Sequence, residues 1–253
     1  MKAFVLAEPG KVKWFDAPEP QLVPYGAILK PVAVTPCSSD VHTVFGGGSK
    51  KQDNLVLGHE CIAEVVSVGE NVCDFKTGDR VAVPAITPDW REKSIQEGND
   101  RHASAPFSGH QLGRTQPGVF SERFLIKDAD TTLAHIPQKI SEEQALMSVD
   151  VVTTGFTGAE YADIKIGDTV CVIGIGPIGL MAVAGAKLRG AARIIAVGTR
   201  PKCVQLAKYY GATDVLSYKE GDIVQQVKEL TNGIGVDATI IAGGTAEVLT
   251  QAY

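Results

Sequence analysis

The sequence predicts a two-domain chain: an irregular, mostly β domain over residues 1–150, then an α/β domain with a parallel sheet over 151–253. Three observations carry that prediction. Residues 168–200 read as strand, glycine turn, helix, strand. The first 150 residues instead hold short alternating runs cut by Gly, Pro and Asp, without a βαβ unit. Residues 89–118 are polar, rich in Gly, Pro and His, and nearly aperiodic, as expected of a long functional loop.

In chain order, Ala27–Val34 and Ala63–Val68 are alternating strand runs. Gly78-Asp79 marks a turn into a further strand, Arg80–Val83. Ser141 followed by Gln144 and an apolar run predicts a capped helix that leads through Asp150 to Thr153-Thr154-Gly155. The domain boundary is placed near residue 151.

In the second domain, Thr169–Ile173 is short, apolar and β-branched, suited to a strand buried on both faces. Gly174, Gly176 and Gly179 follow with the spacing G-x-G-x-x-G, with Pro177 and Ile178 between the last two. Gly174 allows the tight turn, Gly176 leaves room for a pyrophosphate, and Gly179 lets the helix pack on the strand. Leu180–Leu188 is the helix whose N-terminal N–H groups face the phosphates. Arg193–Val197 is the second strand, Lys202–Gly211 a helix ending on a C-cap glycine, and Asp214–Tyr218 the third strand. A helix over Ile223–Thr231 and a strand over Asp237–Ala242 complete the pattern.

The residues after the second strand bear on the dinucleotide. NAD sites place Asp or Glu about 20 residues beyond the glycines. Here Gly198, Thr199 and Arg200 follow Val197, with no carboxylate. A hydroxyl and a guanidinium accept a 2′-phosphate that a carboxylate would repel, which favours NADP. The competing reading makes Arg200 a solvated surface residue beside Pro201.

Composition excludes other classes. The 253 residues are 44% hydrophobic and 21% charged, as in a globular protein. A net charge of −5 and the lack of a basic stripe argue against a nucleic-acid partner. No apolar run is long and unbroken enough for a membrane span, and the N-terminus is too briefly apolar for a signal peptide. Five cysteines, an odd number without C-x-x-C, fit a reducing, cytoplasmic setting and exclude a four-cysteine zinc lobe.

Three regions carry potential metal donors: Cys37 within Pro36–His42, His59-Glu60 after Leu57-Gly58, and Asp150. None is a compact metal motif. Taken singly, such a cysteine is more often buried core, and such a histidine a satisfied hydrogen-bonding residue. Together they would make a Cys, His and carboxylate site with one open position. In the polar loop, His102 and His110 read as solvated side chains.

A resemblance sharpens this. Pro36-Cys37-Ser38-Ser39-Asp40, His42-Thr43-Val44-Phe45, Leu57-Gly58-His59-Glu60, Val83-Pro84 with Thr87-Pro88-Asp89-Trp90, Gly118-Val119-Phe120, Thr153-Thr154-Gly155-Phe156 with Gly158-Ala159-Glu160, and Val172–Gly176 resemble the zinc-dependent medium-chain alcohol dehydrogenases. The likeness is strongest to their NADP-dependent secondary-alcohol subgroup. It implies a GroES-like mostly-β catalytic domain followed by an α/β Rossmann domain, and interconversion of secondary or primary alcohols with ketones or aldehydes. It implies catalytic zinc on Cys37, His59 and Asp150, with Glu60 a ligand in some states. It also implies Asp40 orienting His59, Ser39 and His42 as a proton path, and Thr154 against the nicotinamide. NADP would be held by Gly174, Gly176, Pro177, Ile178 and Gly179, its 2′-phosphate by Gly198, Thr199, Arg200 and Tyr218. The expected partner is a small alcohol or carbonyl compound.

Three departures accompany the resemblance. Ala63 stands where the family's zinc signature has glycine, a harmless methyl if the position is ordinary strand. His110 stands where near relatives carry a large aromatic residue near the substrate, which opens the substrate preference. The resemblance also stops at the fourth strand of a sheet whose full order, 3-2-1-4-5-6, needs about two more. The expectation is therefore the N-terminal part of a family member: an incomplete Rossmann domain with an apolar edge at Asp237–Ala242, without the segment through which the family forms homo-oligomers. Two alternatives stay open: a non-catalytic remnant that binds zinc or nucleotide, and a polyol dehydrogenase, against which the 198–200 sequence argues.

Overall fold

A computed structural model describes residues 1–46, 54–98, 109–244 and 248–252. The chain divides into two compact units, Met1–Asp150 and Val151–Tyr253.

The first unit contains β1 (Lys2–Glu8), β2 (Lys11–Asp16), β3 (Ala27–Thr35), α1 (Ser38–Phe45), β4 (Leu55–Val56), β5 (Glu60–Val68), β6 (Arg80–Val83), α2 (Lys93–Gln96), β7 (Phe124–Ile126), α3 (Ala129–Thr132), β8 (Ala134–His135) and α4 (Glu142–Ser148). Two antiparallel sheets result, of order β2-β1-β4 and β7-β3-β5-β6-β8. The core of the larger sheet is built from Leu29, Val65, Val81, Val83, Phe124 and Ile126, each buried. Alternation places these on one face of their strands. Ala63 is fully buried in β5 between Pro31 and Val81, and it is not among the residues with positive φ. Its methyl group is an ordinary strand side chain.

The register of β3 against β5 positions the site. After a bulge near Pro31, the strands pair Ala33 with Ile62, Val34 with Cys61, and Thr35 with Glu60. The residues just beyond Thr35 and just before Glu60 therefore meet at one end of the sheet. Cys37 and His59 lie there. On the next strand, Cys61 faces Val83, and the N–H of Ala85 donates to the carbonyl of Val149 at 3.1 Å. Ser141 accepts the Gln144 N–H and Gln144 Oε1 accepts the Ser141 N–H, a reciprocal cap for α4. Ala145, Leu146 and Val149 then pack on Ile62. Asp150 is delivered to the same end of the sheet.

The second unit runs α5 (Val151–Tyr161), β9 (Thr169–Ile173), α6 (Pro177–Leu188), β10 (Arg193–Val197), α7 (Pro201–Tyr210), β11 (Asp214–Leu216), α8 (Ile223–Leu230), β12 (Ala238–Ile241) and α9 (Val248–Gln251). Its sheet is wholly parallel, of order β11-β10-β9-β12. The expected mixed architecture, an antiparallel β domain followed by a Rossmann-type α/β domain, is present. Strands β9 and β10 occupy the spans the sequence predicts. The helix after the glycine turn starts earlier than expected, with Pro177 in its first turn. Thr153–Gly155, expected at the end of a helix running through Asp150, instead belongs to a separate helix, α5.

Small residues explain how α5 packs on α6. A Cβ at Gly155 would stand 2.5 Å from Met181 Cβ, and one at Gly185 would stand 2.9 Å from Ala159 Cβ. The glycine turn obeys the same logic. Gly174 has φ +90, and a Cβ on Gly179 would lie 1.8 Å from the Gly174 carbonyl oxygen. No helix among the described residues is long and apolar enough to cross a membrane.

Candidate functional site

Four side chains from three distant regions converge in the first unit. One donor atom from each of Cys37, His59, Glu60 and Asp150 lies within 4.8 Å of the others. His59 and Glu60 are each 2% exposed. His59 Nε2 stands 3.9 Å from Glu60 Oε1 and 3.8 Å from Asp150 Oδ2. It is also 3.3 Å from Ser39 Oγ. The other ring nitrogen, Nδ1, faces Asp40 Oδ1 at 3.3 Å.

Asp40 holds this arrangement in place. It lies in the first turn of α1 and is 6% exposed. Its Oδ2 accepts the Cys37 N–H at 2.9 Å, and its Oδ1 accepts the Gly58 N–H at 3.2 Å. One buried carboxylate therefore ties the Cys37 segment to the His59 segment. Gly58 has φ +89, which a side chain rarely adopts. A Cβ on Gly118 would meet the Gly58 oxygen at 2.3 Å, so both glycines are needed for the 118–120 segment to run against 56–58.

The electrostatics are those of an anionic pocket. Burial would lower the His59 imidazole, but hydrogen bonds to Asp40 and Cys37 outweigh it and raise it to about 10. The hydrogen bond from His59 brings the Cys37 thiol down to about 7. Burial, then the negative charges of Asp150 and Cys37, push Glu60 up to about 8. Glu60 Oε2 is buried and has no hydrogen-bond partner. Buried polar atoms are rarely left so. A cation among these donors would satisfy that oxygen and relieve the repulsion. Thiolate, imidazole and carboxylates are donors that zinc takes, and a catalytic zinc site uses three protein ligands with one open position.

His42, expected on the proton path with Ser39, is exposed on α1, whereas Ser39 is partly buried beside His59. His110 departs from its expected solvated state. Its ring meets the His59 ring edge to face, with centroids 4.4 Å apart, and its Nε2 is buried without a partner. Burial, then the nearby His59 and Arg114 charges, lower it to about 4. Its sequence surroundings look like solvated loop; the family resemblance set its position near the substrate, and the tertiary contact shows its ring against His59. His102 lies outside the described residues.

The nucleotide candidates lie in the second unit. Gly176 precedes α6, and a Cβ there would stand 3.5 Å from Arg200 Nη2. The Arg200 guanidinium therefore lies against the glycine turn. Thr199 Oγ1 donates to Tyr218 Oη at 3.0 Å, joining the end of β10 to the segment after β11. Gly198 packs against Ile175 so closely that a Cβ would approach the isoleucine side chain to 2.2 Å. Pro177 and Ile178 form the first turn of α6, and Thr154 is exposed in the first turn of α5.

Comparison with known proteins agrees with both halves. Residues 24–138 match the alcohol dehydrogenase GroES-like domain, and residues 177–253 match the zinc-binding dehydrogenase domain. The chain is 55% identical to an NADP-dependent isopropanol dehydrogenase of Thermoanaerobacter brockii over 252 residues, covering all of this chain and 72% of that protein. It is 52% identical to the enzyme of that name from Clostridium beijerinckii, with the same coverage. Among solved structures, an alcohol dehydrogenase from Thermus sp. ATN1 superposes with a TM-score of 0.87 at 28% identity, covering all of this chain and 73% of that one.

Proposed function

Because the chain belongs to the zinc-type alcohol dehydrogenase family, we propose that it interconverts small secondary or primary alcohols and the matching ketones or aldehydes, with NADP(H) as hydride carrier. The observation that carries this reading is the convergence of Cys37, His59, Glu60 and Asp150 on one buried point.

Cys37, His59 and Asp150 would hold zinc, with Glu60 as an exchangeable fourth ligand. Bound there, zinc supplies Lewis-acid polarisation of the substrate oxygen. Asp40 accepts the Nδ1 proton of His59, which leaves the Nε2 lone pair to face the metal position. Ser39 Oγ, beside Nε2, would relay the proton: during oxidation its hydroxyl accepts the alcohol proton while releasing its own towards solvent, where exposed His42 takes it up, and reduction runs the relay in reverse. The protein's task is to orient the reacting carbon and exclude water.

Gly174, Gly176, Pro177, Ile178 and Gly179 receive the pyrophosphate at the start of α6. Gly198, Thr199, Arg200 and Tyr218 receive the 2′-phosphate through a guanidinium and two hydroxyls that already share a hydrogen bond. Thr154 serves the nicotinamide end. The cofactor supplies the hydride chemistry itself. A cytoplasmic, reducing setting fits the free cysteines.

The test is NADPH-dependent reduction of acetone or acetaldehyde by the purified protein, with sorbitol and NAD as the contrasting pair. Activity lost to a chelator and restored by zinc supports the reading. Chelator-resistant turnover contradicts the metal role, and tightly bound zinc without hydride transfer to any small carbonyl identifies a non-catalytic binding protein.

A further inference from the structure

His110 is the residue near the donor cluster that the mechanism above leaves unused. Its backbone is fixed on both sides. The Gly109 carbonyl accepts the Thr87 N–H at 2.8 Å, and Gly109 adopts φ +86 against Pro88. The Gln111 carbonyl accepts the N–H groups of Arg114, Thr115 and Gln116, closing a compact turn. The imidazole is thus held edge to face on the His59 ring, 4.4 Å between centroids.

Its Nε2 has almost no solvent contact and no hydrogen-bond partner. A buried ring nitrogen lacking a partner is costly, and such atoms in native structures call for an explanation. A purely apolar wall would carry a phenyl ring or an aliphatic side chain here at no such cost. An imidazole nitrogen donates or accepts according to its tautomer, so it pairs equally well with a hydroxyl or a carbonyl oxygen.

Resting on the function proposed above, we infer that His110 is a specificity-determining residue: its Nε2 bonds a second oxygen on the substrate, beside the carbon that gives or takes hydride. The site then prefers α-hydroxy ketones and vicinal diols over plain ketones and alcohols of the same shape. A site built to hydrogen-bond a substrate hydroxyl discriminates against the analogue that lacks it, because the protein group is left unpaired.

The test uses isosteres. The ketones 3-hydroxy-2-butanone and 3-methyl-2-butanone differ only by hydroxyl for methyl. The expected ratio of kcat/KM favours the hydroxy ketone by about tenfold, the scale of one hydrogen bond. His110→Phe brings the ratio near one, and His110→Gln, which keeps a hydrogen-bonding group, restores part of it. A second readout needs no turnover: calorimetric binding of lactamide against isobutyramide to the protein with NADPH, where lactamide binds more tightly to the parent protein but not to His110→Phe. A parent ratio near one, or a ratio unchanged in His110→Phe, overturns the assignment. If neither ketone is reduced, the function proposed above fails, and the amide binding ratio still decides the role of His110.

Discussion

Asp40 Oδ1 lies 3.3 Å from His59 Nδ1, both side chains being almost wholly buried. The contact fixes which imidazole nitrogen is left to face Cys37, Glu60 and Asp150. Asp40→Asn keeps the shape but loses the anionic acceptor. Such outer partners of a metal-bound histidine typically contribute 10–100-fold to metal affinity. Zinc affinity of Asp40→Asn, measured by competition with a chromogenic chelator, is expected to fall by about that factor. Unchanged affinity would make Asp40 a purely structural tie between the two backbone segments.

Arg200 lies against the glycine turn, where a phosphorylated ribose is expected. Arg200→Ala should weaken NADPH binding by about 1.5–3 kcal/mol, the range for a hydrogen bond to a charged group. NADH binding should barely change. Fluorescence titration with both cofactors checks this, and equal weakening of the two would assign Arg200 to structure rather than to the 2′-phosphate.

Gly179 has no room for a methyl group, since its Cβ would lie 1.8 Å from a backbone oxygen. Backbone must shift to admit one, so Gly179→Ala is expected to cost about 1–3 kcal/mol or more. Urea unfolding reads the loss. An unaffected midpoint would show that the start of α6 is looser than its packing implies.

Arg193 clasps Asp214 through two bonds of 2.8 and 3.1 Å and so fastens β10 to β11. The bond from Arg193 holds the Asp214 carboxyl below its ordinary value. A carboxylate depressed on folding binds fewer protons in the native state than in the unfolded chain, so its stabilisation is present above about pH 4 and lost as pH falls through the native value. Asp214→Asn should melt at a lower temperature than the parent at pH 7, and the gap should close below pH 4. A gap that is constant with pH would point to lost packing instead.

Legibility in the sequence followed burial. Strands β9 and β10 are buried on both faces and β-branched, so their bounds could be read directly. Strands β4 and β8 are two residues long, too short for any alternation to register. Helix α1 has as its N-cap Cys37, which is not a usual capping residue, and so gives no start signal. Helix α5 contains Gly155 and Gly158, poor helix formers, and owes its place to close packing on α6. Cys37, His59 and Asp150 have no informative spacing. Only a family resemblance linked them, because the pairing of Thr35 with Glu60 and the docking of α4 on Ile62 are tertiary events. His110 shows the same limit from the other side: a polar loop residue whose partner, His59, is 51 positions away.

The most direct check is zinc content. Elemental analysis of the purified protein should find one zinc per chain, and Cys37→Ser and Asp150→Ala should each lose it while keeping their fold by circular dichroism. Zinc retained at full stoichiometry in both variants would place the ion elsewhere and contradict the account.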